Sequence, residues 1–284
     1  MIEQATFKVS DIEGLNAENQ VSESLDYERR FSGVRRLYGE SGLKKLHAAH
    51  IIVIGIGGVG SWAAEALARN AVGAITLIDL DNIAESNVNR QLHAIDGAFG
   101  KAKVSAMRER ILSINPLCIV REIEDFITPQ NITGILSAHC DVIVDCIDDA
   151  QAKIALADFC KREKIPLIMA GSAGGRLDPT RIQVADLAHV AGDRLLSKVR
   201  NQLRRDYDFP KAQGSDLKHH KKSAKFGIDC VYSDEQAIKP DSACAVDSAA
   251  ITGLNCAGYG SSVCVTAPFG FTAAQVALNC ILQK

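Results

Sequence analysis

The sequence contains no CxxC pair, so the commonest cysteine arrangement for zinc is excluded. Nine cysteines are present nonetheless, at 118, 140, 146, 160, 230, 244, 256, 264 and 280. Their odd number and irregular spacing argue against a disulfide framework and for the reduced thiols of a cytoplasmic protein. The first 21 residues are polar and acidic and lack the apolar stretch of a secretion signal. A dominant charge is also lacking: the net charge is −2 over 284 residues. No global field selects an anionic partner, so any nucleic-acid contact must come from a local patch. There is no internal repeat and no long low-complexity tract.

One lack points the other way. Residues 257–283 carry no charged side chain, a run long enough to span a bilayer. Ser261, Ser262, Thr266, Thr272 and Gln275 dilute its apolarity, and Pro268 and Gly270 interrupt it. The expectation is a buried strand-turn-helix and no membrane span.

What is present is a repeating alternation. Residues 1–24, rich in Glu, Ser, Asn and Gln, read as a disordered tail. Residues 25–50 read as a helix, a turn and a second short helix. From 50 to 170, the strands HIIVIG, AITLIDL, IVREIED, DVIVDCID and IPLIMAG alternate with the helices SWAAEALARNAV, GKAKVSAMRERILSIN and AQAKIALADFCKREK. Gly73 stands where a left-handed cap can end the first of these helices. RIQVADL adds one more strand. An apolar content of 47% suits an ordinary core. The fold class expected is α/β, a Rossmann-like doubly wound and mostly parallel sheet with a smaller C-terminal extension. Residues 25–190 would form the nucleotide-binding domain. Residues 191–284 would form a basic insertion and a strand/helix lobe packed on it.

Gly55, Gly57, Gly58 and Gly60 follow an apolar strand and open a helix, the context that gives a glycine fingerprint meaning. Such a turn lets backbone N–H groups approach a phosphate at the helix N-terminus. Asp79 ends the second strand, 19 residues after Gly60, and is placed to accept from ribose hydroxyls. This much fits NAD as well as ATP, so a nicotinamide dehydrogenase is one reading. The loop DLDNIAESNVNRQLHAIDGAFGKAKV is denser in polar groups than a crossover needs. Asn87, Asn89, Arg90 and Gln91 cluster there, and Lys101 and Lys103 begin the next helix. Arg and Lys beside a phosphate-binding turn suit a longer polyphosphate. Asp145, Asp148 and Asp149 end the fourth strand, where a carboxylate facing phosphates can ligate Mg²⁺.

GxGGVGS, DxD, SNxNRQ, GxxK and DCxD, in that order, resemble the E1-like superfamily, which includes ThiF, MoeB and HesA and activates carboxylates by adenylation. The resemblance covers about residues 27–190. It implies that Gly57 and Gly58 line the phosphates of ATP and Asp79 holds the ribose. It implies that Asn87, Arg90 and Lys103 contact the phosphates, with Arg90 and Lys103 stabilising charge at the transferring phosphorus. Asp148 would hold Mg²⁺. Homodimerisation is also implied. Related dimers insert an arginine from a Tyr/Phe-x-Arg motif into the partner's site. Here the matching stretch is Phe31-Ser32-Gly33, which leaves Arg30, Arg35 and Arg36 as open alternatives.

Within that superfamily, RLYGESGLKKL, INPLC, IPLIMAGSAGGRLDPTRIQVADL and KFGIDCVYSDE resemble the bacterial tRNA threonylcarbamoyladenosine dehydratases, from about Arg30 to the C-terminus. That resemblance implies a substrate tRNA bearing N6-threonylcarbamoyladenosine at position 37. ATP would activate the threonyl carboxylate as an acyl-adenylate. The neighbouring carbamoyl group would then close a ring on that carbon, giving cyclic t6A with net loss of water. Between 194 and 225, ten Lys and Arg face three Asp, and Arg194, Lys198, Arg204, Arg205, Lys221 and Lys222 form a patch suited to RNA phosphates. Cys256 lies where such proteins can carry a sulfur-accepting or thioester cysteine, with a cysteine-desulfurase system as its partner. No Lys, Arg or His adjoins it, which favours a structural thiol. Two other readings use the same residues: adenylation of a sulfur-carrier or ubiquitin-like C-terminus, and a non-catalytic tRNA scaffold.

Overall fold

A computed structural model describes residues 26–136, 139–211, 224–238 and 259–284. Helix α1 (Tyr27–Ala48) starts on the Asp26 side chain, which accepts from Arg29 N at 2.8 Å. The turn expected inside this segment is a kink at Gly39, whose φ is 75°. Strand β1 (His50–Ile54) leads into α2 (Gly60–Arg69), then β2 (Ala74–Ile78), α3 (Lys103–Ile114) and β3 (Ile119–Ile123). A single turn, α4 (Ile132–Ile135), precedes β4 (Val142–Asp145), α5 (Ala150–Glu163) and β5 (Leu167–Ala170). Strand β6 (Ile182–Asp186), α6 (Arg194–Asp206), β7 (Ile228–Ser233) and α7 (Val263–Gln283) complete the order.

The seven strands form one sheet in the order β3-β2-β1-β4-β5-β7-β6. All neighbours are parallel except β6, which pairs antiparallel with β7 at the edge. Residues on both sides of 190 therefore share the sheet, and β7 lies inside it, between β5 and β6. The chain winds from β1 outward to β3, then returns to β4 on the other side of β1. A crevice opens at that reversal, outside the carboxyl ends of β1 and β4. Strands β1, β2, β4 and β5 are almost wholly buried because helices cover both faces. One apolar cluster joins the sheet to α2, α3 and α7 through Leu67, Met107, Phe269 and Leu278. The other joins it to α5 and α6 through Leu156, Phe159, Leu196 and Leu203.

Two expectations are corrected. The left-handed residue after α2 is Ala71, with φ 61°, not Gly73. Gly73 instead allows close approach, since a Cβ there would collide with the His47 carbonyl. The strand-turn-helix expected over 257–283 is replaced, within the described residues, by the single helix α7, which runs through Pro268. Proline forfeits one intrahelical donor, but tertiary packing outweighs that loss. Gly270 faces α2, and a Cβ there would collide with the Val59 carbonyl oxygen and lie 2.8 Å from Ala63 N and Trp62 Cβ. Among the described residues, α7 is the one helix long and apolar enough to cross a membrane by length and composition. Its apolarity has a local use, because Val265, Phe269, Ala273, Ala277 and Ile281 are in the core. Gly270→Ala is expected to push α7 from α2 and cost about 1–3 kcal/mol by overpacking, read as a lower denaturant midpoint.

A charge network ties the ends of α2 and α3. The Glu65 carboxylate, 4% exposed, accepts from Arg69 Nε at 2.8 Å and from Arg110 Nη2 and Nε at 2.8 and 3.0 Å. Burial raises the carboxyl's pKa, but the bonds from Arg110 and Arg69 outweigh it, leaving a net value below the ordinary one. A carboxylate with a depressed folded pKa adds stability above its unfolded pKa and loses it as the pH falls through the folded one. Thermal melts of Glu65→Gln are therefore expected to lie below wild type at neutral pH. The gap should close as the pH drops below the ordinary glutamate value.

Candidate nucleotide and acyl-transfer site

The site begins where β1 ends. Gly55 takes φ 84°, and its N–H donates to Ile78 O at 2.8 Å. A Cβ on Gly55 would stand 3.0 Å from the carbonyl of Cys146, so the turn after β1 presses directly on the end of β4. A Cβ on Gly60 would collide with the Gly55 carbonyl. These two glycines let the chain reverse tightly into α2. Gly57 meets nothing closer than Gln91 Nε2 at 3.9 Å, so its backbone faces open space. Gly58 lies against the aliphatic part of Arg90.

Asp79, at the end of β2, fixes this turn. Its Oδ2 accepts from Ile56 N at 2.6 Å and its Oδ1 from Asp81 N at 2.8 Å. Lys103, 4% exposed, donates to Asp81 Oδ2 at 2.7 Å and lies 3.9 Å from Asp79 Oδ1. Burial raises the Asp79 pKa, opposed by Lys103 and the two backbone donors. The buried ammonium is thus held beside the glycine turn by two carboxylates.

Asn87 closes a short 3-10 turn (Glu85–Asn87), its Oδ1 accepting from Ala84 N at 3.1 Å. The Arg90 guanidinium donates to Ser86 O and Asn89 Oδ1 at 2.9 and 3.0 Å. The Arg90 carbonyl accepts from Trp62 Nε1 at 2.9 Å. Trp62 packs edge-on against Phe271 of α7, as a partly buried packing residue that also holds this loop. Gln91 and His93 are buried, and Gln91 Oε1 and both His93 ring nitrogens have no hydrogen-bond partner among the described residues. Burial, with Lys103 nearby, lowers the His93 pKa to about 4. An open Gly57 backbone at the start of α2, with the Lys103 ammonium held beside the turn, is what a site for an anionic chain presents. The residues present therefore fit a nucleotide phosphate chain.

At the end of β4, Asp145 and Lys153 form a wholly buried pair at 3.0 Å, each side chain 0% exposed. Ile147 N also donates to Asp145 at 3.0 Å. Asp149 caps α5 by accepting from Ala152 N at 2.8 Å. Asp148 is exposed between them. Desolvation, with Asp149 and Asp81 adding to it, lifts the Asp148 pKa above its ordinary value. Among the described residues no group of three or more His, Cys, Asp or Glu side chains is arranged to hold a metal by itself.

The fold thus brings Gly57, Gly58, Asp79, Asn87, Arg90, Lys103 and Asp148 to the carboxyl ends of β1, β2 and β4 and the loops that follow. The basic residues of α6 lie apart, on the far side of the sheet from α2. Arg194, Lys198 and Arg205 are exposed, and the 3.6-residue period puts them on one stripe. Arg205 pairs with Asp206 at 2.8 Å, while Arg204 turns aside, over the Phe226 ring and onto Pro210 O. Lys221, Lys222 and Cys256 lie outside the described residues. Of the N-terminal arginines, Arg30 donates to Ile114 O at 2.6 Å, Arg35 pairs with Glu28 at 2.8 Å, and Arg36 is exposed. Burial pushes the Cys118, Cys140 and Cys146 thiols up to about 12, and Cys230 well above its ordinary value, so none of these four is a ready thiolate.

The sequence reasoning missed Lys153 and His93. Lys153 had a signal: a cation among apolar residues near the start of the helix that follows a strand ending in aspartate. His93 had none.

A family model described as the ThiF family matches residues 27–284. The chain is 45% identical to the tRNA threonylcarbamoyladenosine dehydratase of Escherichia coli over 264 residues, 91% of this chain and 95% of that protein. It is also 45% identical to the Haemophilus influenzae protein of the same name, at the same coverage of each. The molybdopterin-synthase adenylyltransferase of Salmonella typhimurium is 31% identical over 54% of this chain and 60% of its own length. The crystal structure of the E. coli dehydratase in complex with ATP matches with a TM-score of 0.79 and 44% identity, covering 90% of this chain and 95% of that one.

Proposed function

The chain belongs to the ThiF family, and on that premise we propose that it is an ATP-dependent tRNA threonylcarbamoyladenosine dehydratase. The reaction is closure of N6-threonylcarbamoyladenosine at position 37 to cyclic t6A. The observation that carries this reading is likeness over nearly the whole length of two proteins of that name. The adenylyltransferase likeness, which would favour a sulfur-carrier substrate, covers about half of this chain.

ATP supplies the activation: the threonyl carboxylate displaces pyrophosphate from the α-phosphorus, and AMP leaves when the carbamoyl group closes the ring. The residues of this chain position and neutralise. Backbone N–H groups of Gly57 and Gly58 approach the phosphates at the start of α2. Asp79 accepts from the ribose, and the Asn87 amide nitrogen is left to donate. Arg90 leaves Ser86 O and Asn89 to reach the phosphates, while Lys103 is already fixed beside the turn. His93, neutral above about pH 4, adds no further charge. Asp148 fits Mg²⁺ as a partial ligand, because Mg²⁺ shared with phosphates needs only one or two carboxylates. Ring closure joins groups of one nucleotide, so orientation and a good leaving group suffice. The reading includes a homodimer.

The test is mass spectrometry of threonylcarbamoyladenosine-containing tRNA incubated with protein, ATP and Mg²⁺. Loss of one water mass from the modified base is the expected result; an unchanged base with ATP consumed would point to another acceptor.

The exposed stripe Arg194–Lys198–Arg205 is the surface we assign to tRNA phosphates. Reversing all three to Glu is expected to weaken tRNA binding regardless of sequence. It should also flatten the dependence of log K on log salt by about two to three units, measured by filter binding across a salt series.

A further inference from the structure

A second pocket, of about 360 Å³, lies between the loop after β5 and the start of α7. Its walls include Arg176, Leu177, Ile238, Ser261 and Ser262. Arg176 lies in the loop that follows β5, at the same end of the sheet as the glycine turn. Its side chain is only 4% exposed, yet Nε and Nη1 find no hydrogen-bond partner among the described residues. A buried guanidinium left without acceptor or counter-ion costs several kcal/mol, by order of magnitude. Such an arrangement persists where a ligand completes it.

The loop is built to hold that side chain still. Gly175 N donates to Gly260 O at 2.7 Å, and Ile238 N to Gly175 O at 2.8 Å. The Glu235 carboxylate accepts from Leu177 N and Asp178 N, both at 3.0 Å. Asp193, the cap of α6, accepts from Ser172 N at 2.8 Å. The opposite wall is the start of α7. Its first N–H groups are already bonded, Val263 N to Asn89 O at 3.1 Å and Cys264 N to Ser262 Oγ at 3.2 Å. The 21-residue helix therefore contributes the positive end of its dipole to the pocket more than free donors. Leu177 and Ile238 form an exposed apolar lip.

The pocket is also wired to the nucleotide site. Asn89 donates through Nδ2 to Ser261 O at 2.8 Å and accepts through Oδ1 from Arg90 at 3.0 Å. One residue thus joins the pocket wall to the guanidinium assigned to the phosphates.

We infer that this pocket is the subsite for the acceptor RNA nucleotide, with Arg176 receiving an oxyanion of that nucleotide while the apolar lip takes its uncharged parts. The inference rests on the tRNA reading above and names where that substrate sits. Two groups of one substrate share this chemistry, the carboxylate carried by the modified base and the backbone phosphate next to it.

Binding of three probes to the full-length protein separates them: an anticodon stem-loop carrying threonylcarbamoyladenosine, the same stem-loop unmodified, and the free modified nucleoside. Arg176→Gln is expected to weaken stem-loop binding about tenfold or more, the scale of a lost bond to a charged group, while protection by ATP against heat is unchanged. Leu177→Glu, at the exposed lip, is expected to do the same by repulsion, and it decides the matter alone if Arg176→Gln folds poorly. Weaker binding of the nucleoside as well assigns the carboxylate. Weakening of both stem-loops without the nucleoside assigns the phosphate. Wild-type affinity for all three probes in both variants overturns the inference and leaves the tRNA reading intact. A wild-type protein that is protected by ATP but binds none of the probes overturns both.

Discussion

Arg90→Ala is expected to lower kcat/KM for ring closure by about 10²–10³-fold, the scale for removing one preorganised donor from developing charge, with the melting temperature nearly unchanged. Among the described residues its guanidinium bonds only Ser86 O and Asn89 Oδ1, both in exposed segments. Its backbone carbonyl, which anchors Trp62, survives the substitution. Little folding free energy is therefore at stake. Lys103 is a poorer probe of the same chemistry. Truncating it would strand the Asp81 and Asp79 carboxylates beside the turn, and a folding defect would masquerade as a catalytic one. Single-turnover mass spectrometry of the base, run alongside a thermal melt, separates the two effects. An Arg90→Ala enzyme within a few-fold of wild type would remove this side chain from the phosphate site.

The largest stability effect is expected at a residue that touches no phosphate. Lys153→Met should cost about 3–5 kcal/mol, because it leaves the Asp145 carboxylate uncompensated in the interior. In a chain of this size that is a fall in Tm on the order of 10 °C. Both side chains are 0% exposed and 3.0 Å apart. Burial is the largest influence on Asp145 and lifts its pKa, with Lys153 opposing it. Removing the ammonium removes that opposition. The double variant Asp145→Asn, Lys153→Met is expected to recover most of the loss, since no unpaired charge remains. Denaturant unfolding of the single and double variants measures the coupling. Equal destabilisation in the single and double variants would show that packing, not charge, governs the site.

Much of this was legible in the chain. The run HIIVIG, the four glycines and the first helix specify strand, turn and helix locally, because apolar runs and positive-φ positions act over a few residues. Asp79 was legible for the same reason, as the polar end of an apolar strand. That Arg90, Lys103 and Asp148 gather at one end of the sheet was legible only because parallel strands put their carboxyl ends together. Strand β7 was not read as a strand. Its sequence, IDCVYS, is broken by the exposed Asp229, and its place between β5 and β6 depends on partners far away in the chain. The single helix through Pro268 and Gly270 was also hidden. Local propensity reads Pro and Gly as a break, while the contact of Gly270 with α2 rewards continuity.

By itself, then, the sequence determined the alternation of strands and helices, the glycine turn and the polar residues of the loop after β2. These rest on backbone geometry and side-chain chemistry that are local. The tertiary structure alone decided which charges are buried and which are paired. It joined Lys153 to Asp145, fixed Lys103 between two aspartates, and buried Arg176 with Nε and Nη1 unpaired among the described residues. Burial and pairing depend on neighbours distant in the chain, and at low dielectric those neighbours set the energy of every charge.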